Sequence, residues 1–246
     1  MHARNQQAGF VVALALALAC TAAVTPTAWA DAPAKAADPR LAEAETLHEQ
    51  AFALHRSGQS GEALVAAREA LRLREAALGP EHPAIATSLA TTAALLAVLG
   101  DHAAARPLYE RALRIREKAL GPGHPDTVQS LNDLAYLQVD LGQHAAAKLL
   151  YMRALRIREK ALDPMHLDVA KSLSNLAFVL DRLGESAAAQ ALYERALRIR
   201  EKALGPEHLD VAATLNHLAN VLRNKGDHAK AQTLRRINAM STQRVA

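Results

Sequence analysis

Histidines that recur at a fixed interval are the residues in this chain best suited to metal chemistry. They stand 42 positions apart, at His82, His124, His166 and His208. Zinc would need several such nitrogens within about 2.0–2.1 Å of one ion, whereas equivalent places in successive packed helical units lie at least ~8–10 Å apart. The spacing therefore predicts a loop and helix-capping role, with no metal site.

The pair His48-Glu49 begins like the zinc-protease motif H-E-x-x-H, but Phe52 stands where the second histidine is required. The sequence contains no G-x-G-x-x-G, no Walker loop and no G-x-S-x-G nucleophile motif. We therefore expect a protein that is not an enzyme and holds no cofactor.

Arginines also recur at this interval, in two columns with a column of glutamates beside them. The columns are Arg72, Arg114, Arg156 and Arg198; Arg74, Arg116, Arg158 and Arg200; and Glu75, Glu117, Glu159 and Glu201. Arginine columns could bind a polyanion, but the interleaved acids and a net charge of only +4 argue against it. The pattern predicts a solvated face with mixed-sign pairs and no nucleic-acid partner.

A 42-residue repeat positions all of these side chains. The decapeptide RALRIREKAL occurs three times without change, at 111–120, 153–162 and 195–204, and a looser copy occupies 69–78. Self-similarity at a period of this length is typical of repeat proteins. Half of the residues are apolar but only 3% are aromatic, a composition that favours packed helices over strands and is too apolar for disorder.

Each unit reads as two helices. Apolar residues follow Asp126 at mostly three- and four-residue steps until Gly142, a residue suited to ending a helix. The same glycine place recurs at Gly58, Gly100, Gly184 and Gly226. We expect N-caps on the first helices at Asp126, Asp168 and Asp210, and on second helices at Asp101 and Asp227.

The pattern within a unit resembles the tetratricopeptide repeat. Leu131, Leu134 and Ala135 take the places of its W-x-x-L-G, and Ala147-x-x-x-Tyr151 those of its A-x-x-x-F. The longer unit, with LGPEHP between repeats, resembles the kinesin light chain-type family over about residues 41–240. The resemblance implies an all-α, right-handed superhelix (an α-solenoid) of about five helix-turn-helix repeats, at 42–83, 84–125, 126–167, 168–209 and 210–246. We expect Tyr109, Tyr151 and Tyr193 to fill the large core position.

The resemblance also implies a concave binding groove lined by the first helices. The candidate groove residues are Phe52, His55, Val98, Asn132, Tyr136, Val139, Lys171, Phe178, Arg182, Asn216, Asn220 and Arg223. Three of them, Phe52, Tyr136 and Phe178, are aromatic and occupy the same place in their repeats. They could clamp a peptide or a partner helix, or simply pack between neighbouring helices.

The first thirty residues read as a cleaved secretory signal peptide. An apolar stretch from Phe10 to Cys20 is shorter than the ~20 residues needed to span a bilayer. It leads to Ala28-Trp29-Ala30, which has the form of a signal-peptidase site. We expect cleavage after Ala30 and a periplasmic or secreted protein, with residues 31–41 as a flexible linker. The alternatives are an uncleaved anchor and a lipoprotein attached to the membrane through Cys20.

Taken together, these patterns predict a non-catalytic scaffold or adaptor of the cell envelope that binds another protein, as a peptide or helix, in the groove. The alternative is a structural or assembly factor, acting by self-association or as a lipoprotein subunit of an envelope complex.

Overall fold

The computed structural model describes residues 38–243, with side chains as far as Met240. This part of the chain contains helices alone, ten in number, joined by short turns. They are α1 (Pro39–Arg56), α2 (Ser60–Leu78), α3 (Pro83–Val98), α4 (His102–Leu120), α5 (Pro125–Asp140), α6 (His144–Ala161), α7 (Leu167–Arg182), α8 (Ser186–Leu204), α9 (Leu209–Asn224) and α10 (His228–Gln243). The predicted all-α architecture of helix-turn-helix repeats is confirmed.

The described residues form two compact units, divided between Leu137 and Gln138. In unit 1, α1 packs on α2, α2 on α3, and α3 on α4. In unit 2 the same order continues, because α6, α7, α8 and α9 each pack on the next helix in the chain. Contacts between helices that are neighbours in sequence are what a stack of two-helix repeats requires.

Alanine and tyrosine contribute to the core as its smallest and its largest side chains. Tyr109, Tyr151 and Tyr193 are all buried, as predicted for the one large core position of the repeat. Around them the second helices bury alanines completely, among them Ala105 and Ala112. Small side chains bring helices close together, and buried aliphatic side chains such as Ile85 and Leu89, with one large ring in each of the second, third and fourth repeats, fill the space that remains.

The predicted glycine turns are confirmed. Gly58, Gly100, Gly142, Gly184 and Gly226 follow the first helices with φ between +69° and +86°, a region that residues with a side chain seldom adopt. A second glycine place was not predicted. Gly79, Gly121 and Gly205 end second helices with φ of 84–85° and extended ψ.

The N-cap prediction is wrong for the first helices and correct for the second. Nδ1 of His166 accepts the backbone N–H of Asp168 at 3.0 Å. Histidines at the other three junctions, His82, His124 and His208, accept equivalent N–H groups at 3.1–3.2 Å. The histidine precedes the aspartate by two residues and is itself the N-cap residue, so its ring nitrogen accepts the backbone N–H of the aspartate. The aspartates instead lie in the first helical turn, where the helix dipole still favours a negative charge. Asp101 and Asp227 cap second helices as predicted.

The predicted linker 31–41 is wrong at its end, because α1 begins at Pro39. Asp38 caps this helix by accepting the N–H of Arg40 at 2.9 Å, and an acidic residue followed by proline is a common helix start. The rest of the linker, the signal segment 1–30 and Cys20 lie outside the described residues. Within the described part, no helix is long and apolar enough to cross a membrane.

Candidate binding surface on the first helices

The predicted groove residues fall into two sets, one on each unit, which we call the inner faces. The inner face of unit 1 comprises Phe52, His55, Val98, Asn132 and Tyr136; that of unit 2 comprises Val139, Lys171, Phe178, Arg182, Asn216, Asn220 and Arg223. Val98, Arg182, Asn216 and Arg223 are exposed, and all the others except Asn132 are partly exposed. Both inner faces therefore present side chains that a ligand could contact.

Asn132 is the exception, because its side chain is only 1% exposed. Every residue from Ser130 to Ala135 is buried, so this part of α5 has no face open to solvent. A helix buried on all sides leaves no stripe for a ligand. Asn132 is therefore not accessible to a ligand in this structure, and its role in binding stays a prediction.

Phe52 and the buried His48 form the centre of the inner face of unit 1. Their rings meet edge to face with centroids 4.6 Å apart. Burial and the nearby Arg74 guanidinium lower the pKa of His48 to about 4, against a smaller opposing effect of Glu45. The imidazole is therefore neutral at pH 7, so the Phe52 ring packs against an uncharged, partly apolar ring.

Phe178 and Arg182 form the corresponding centre in unit 2. The Arg182 guanidinium carbon lies 5.1 Å from the centroid of the Phe178 ring, within the range of a cation–π contact. Nearby, Asp181 accepts hydrogen bonds from Ser186 Oγ at 3.1 Å and from Asn224 Nδ2 at 3.2 Å. These bonds hold the end of α7 in place beside the aromatic ring.

Two asparagines extend the inner face of unit 2 along α9. The Asn216 amide oxygen accepts a bond from Asn238 at 2.9 Å, and that of Asn220 accepts one from Arg235 at 3.1 Å. Both oxygens are thus engaged with α10, and the amide N–H groups remain available as donors. The amides are suited to donating hydrogen bonds to carbonyl groups of a ligand.

The second arginine column is not part of a solvated face, which corrects the sequence prediction. Arg74 and Arg116 are buried, and Arg158 and Arg200 are largely so. Each guanidinium donates to the hydroxyl fourteen residues later: Arg74 to Ser88, Arg116 to Ser130, Arg158 to Ser172 and Arg200 to Thr214, at 2.5–2.8 Å. The sequence does hold this signal, because a Ser or Thr follows every arginine of the column at the same spacing.

Arg200, the last arginine of this column, contributes to the inner face of unit 2. It donates to Ser174 Oγ of α7 at 2.9 Å as well as to Thr214 of α9. No carboxylate of the described residues lies within 4 Å of it. Burial lowers the pKa of the Arg200 guanidinium, an effect that Asp210 partly offsets. Arg200 therefore adds a positive charge between two first helices, beside Ser174 and Thr214.

The first arginine column does lie in solvent, as predicted, and mixed-sign pairs join neighbouring repeats. The pairs use the first arginine of the repeated decapeptide: Arg111 with Glu75 at 2.6 Å in unit 1, and Arg195 with Glu159 at 2.5 Å in unit 2. Among the side chains described, no group of three His, Cys, Asp or Glu residues converges in a way that could hold a metal ion.

Comparisons with known proteins agree with this geometry. A family model described as "Tetratricopeptide repeat" matches residues 42–117, 90–160 and 168–234. No curated protein is similar enough in sequence to count as a relative.

Solved structures are similar over most of the chain. A kinesin light chain protein of Podosopora anserina with nearly identical TPR-like repeats is 25% identical, with a TM-score of 0.75, over 85% of this chain and 98% of that one. BtubC (BKLC) from P. vanneervenii is 21% identical, with a TM-score of 0.62, over 84% and 91% of the two chains. The Rap protein complexed with Competence and Sporulation Factor is 16% identical, with a TM-score of 0.65, over 82% and 55%. The predicted resemblance to kinesin light chain-type repeats is confirmed.

Proposed function

The chain belongs to the tetratricopeptide repeat family, and from this premise we propose that it is a non-catalytic scaffold of the cell envelope that binds another protein through its inner faces. The observation that carries the proposal is the arrangement in unit 2. There an accessible aromatic ring, amide groups and cations lie along two first helices in contact with a common second helix.

The chemistry of this arrangement favours an extended peptide or a partner helix. The Phe178 ring offers apolar contact to a side chain, and Asn216 and Asn220 offer N–H groups to backbone carbonyls. Arg182, Arg200 and Arg223 give the face a positive character. A protein of the same fold, the Rap protein, forms a complex with Competence and Sporulation Factor, which supports a binding role for this fold.

Location in the envelope is the second part of the proposal. The apolar segment Phe10–Cys20 and the Ala28-Trp29-Ala30 site support export and cleavage after Ala30. The cleaved protein then begins at Asp31 and contains no tryptophan, since Trp29 is the chain's only one. We expect the intact mass of the protein recovered from its producing cells to match residues 31–246, with no tryptophan fluorescence.

Retained tryptophan would show that the site after Ala30 is not used. The alternative of a lipoprotein makes a different prediction: radiolabelled fatty acid would enter the wild-type protein but not Cys20→Ser. If that label is incorporated, the protein is anchored to the membrane rather than free in the envelope.

A photocrosslinking amino acid placed on the inner face tests the binding role in the producing cells. We expect a crosslinker at Phe178 to give a discrete adduct with another polypeptide, because a ligand on the inner face covers this ring. The control is a crosslinker at Arg198, an exposed residue of α8 outside the inner face. Adducts that form equally at both positions, or at neither, would contradict the proposal.

A further inference from the structure

Three second helices of this protein are nearly identical, which makes their few differences informative. Segments 102–120, 144–162 and 186–204 differ from one another at only four positions. Two of these stand out in α6. Leu149 lies where the others have Pro107 and Ala191, and Met152 where both others have a glutamate. The third repeat has thus exchanged one acid for an apolar side chain and gained a second apolar side chain beside it.

Both residues lie in solvent. Leu149 is 68% exposed and Met152 is 36% exposed. They are three positions apart on α6, so they lie side by side on one face of the helix. Methionine adapts its shape easily and is common on surfaces that bind partners. The three methionines of the described residues, Met152, Met165 and Met240, are all exposed, so none of them serves as a core residue.

Two cations continue the same face toward the end of the helix. Arg156 and Lys160 follow Met152 at steps of four residues, and both are exposed. Arg156 Nε donates to the Met152 carbonyl at 3.4 Å. Among the residues that the structure describes, no carboxylate lies within 4 Å of either cation. In the neighbouring repeats a glutamate precedes the equivalent arginine by four residues, and that acid is what Met152 replaces.

We propose that this exposed face of α6, formed by Leu149, Met152, Arg156 and Lys160, is a second interaction surface that binds an acidic amphipathic helix of a partner protein. From Leu149 to Lys160 the face is ~16 Å long at 1.5 Å per residue, which matches about three turns of a partner helix. Two apolar side chains fit an apolar contact at one end, and two cations fit carboxylates at the other.

A protein partner is favoured over a membrane surface because of the size of the apolar part. Amphipathic helices that lie in membranes bury a long apolar face of many residues, whereas here two residues are followed at once by cations. This surface is formed by a second helix, so it does not depend on the binding role of the inner faces.

The probe for the test is a synthetic helical peptide of about 15 residues, with leucines at steps of three and four and glutamates elsewhere. Binding is followed by chemical-shift changes in ¹⁵N-labelled protein. We expect changes at Leu149, Met152 and Arg156. The variant Leu149→Ala/Met152→Glu places at these two positions the residues that the fourth repeat has there, so it is expected to fold. It should bind the peptide at least about tenfold more weakly.

The fourth repeat provides a gain-of-binding control. The variant Ala191→Leu/Glu194→Met gives α8 the face of α6, and we expect a second set of shift changes around α8. A peptide in which lysine replaces every glutamate should not bind. Undiminished binding by Leu149→Ala/Met152→Glu, or equal binding of the lysine peptide, would overturn the proposal. So would binding to vesicles of anionic lipid without binding to the acidic peptide, since the surface would then face a membrane.

Discussion

A buried arginine bonded to a hydroxyl recurs in every repeat junction described, and it is the most regular polar contact in the protein. The guanidinium stays charged when buried, so it must keep its hydrogen bonds. Bonds to charged groups contribute about 1.5–3 kcal/mol each. The second arginine column therefore holds adjacent repeats in register, whereas the first column lies in solvent.

Arg116→Met tests this difference against Arg114→Met, an exposed residue two positions away in the same helix. We expect Arg116→Met to lower the free energy of unfolding by about 2 kcal/mol, because it leaves the Ser130 hydroxyl without its donor. Arg114→Met should change it by no more than about 0.5 kcal/mol. Urea denaturation followed by circular dichroism measures both values, and equal losses in the two variants would refute the distinction.

His48 gives the stability of the protein a pH dependence that can be predicted in sign. Its pKa in the folded state is about 4, against 6.5 when unfolded, so below pH 6.5 the unfolded chain takes up the proton first. Stability is complete above pH 6.5 and is lost as the pH falls toward 4, by up to about 3 kcal/mol at 1.36 kcal/mol per pKa unit.

The variant His48→Asn removes this titration and places at position 48 the residue found at Asn132 and Asn216 in other repeats. We expect its stability to fall less between pH 7 and pH 4 than that of the wild type. Parallel losses measured by urea denaturation at both pH values would show that His48 does not titrate in this way.

At the scale of an element, the clearest requirement is for a glycine at the end of a second helix, because the backbone there has a positive φ. Gly205 has φ 84° and ψ 158°, and a side chain added there would meet nothing within 4 Å. Any cost of Gly205→Ala is therefore a backbone cost, about 1–3 kcal/mol for this region of φ and ψ. Gly61, inside α2, has no such φ and also lies in open space.

We expect opposite signs for the two substitutions: Gly205→Ala lowers the melting temperature, and Gly61→Ala raises it, because alanine favours helix by up to about 1 kcal/mol over glycine. Thermal unfolding followed by circular dichroism measures both. A neutral Gly205→Ala would mean that the end of α8 is free to adopt another conformation.

At this scale the sequence predicts helix number and order well, because the apolar period and the repeat offset are both strong signals. It fails where two polar residues compete for one role. His166 and Asp168 can each cap a helix, and only the two-residue offset of the ring nitrogen decides which does. Arg72 and Arg74 are both predicted to be solvated, but they leave α2 in different directions, so one is exposed and the other is buried; the hydroxyl fourteen residues after Arg74 is the signal that distinguishes them.

The two terminal repeats differ from the inner ones in a way that bears on self-association. In two junctions a glutamate of one second helix pairs with the arginine that opens the next decapeptide: Glu75 with Arg111 and Glu159 with Arg195. In the first repeat Glu69 stands in the arginine place, and in the last Gln243 stands in the glutamate place. Copies stacked head to tail would lack this ion pair, which contributes about 0–1 kcal/mol at a surface, and we expect a monomer at micromolar concentration in light scattering. A mass that rises with concentration would favour the assembly alternative.

The inner faces show how much of a binding surface can be predicted from the sequence repeat. Eleven of the twelve candidate residues chosen by repeat register are exposed or partly exposed. The register does not predict that Asn132 is buried, because the side chains of neighbouring helices determine its exposure. Nor could it find Arg200, which reaches the inner face of unit 2 from a second helix. Partner identity depends on such details, so it lies beyond what the repeat alone determines.

Peptide affinity in the presence and absence of the inner-face aromatics tests the central proposal most directly. Peptides selected from a random display library against the protein are titrated into the wild type and into the variant Phe52→Ala/Tyr136→Ala/Phe178→Ala. A matched control, Arg72→Ala/Arg114→Ala/Arg198→Ala, removes exposed side chains outside the inner faces. We predict at least about a tenfold loss of affinity in the aromatic variant and little change in the control. Unchanged affinity in a folded aromatic variant would contradict the binding role of these faces.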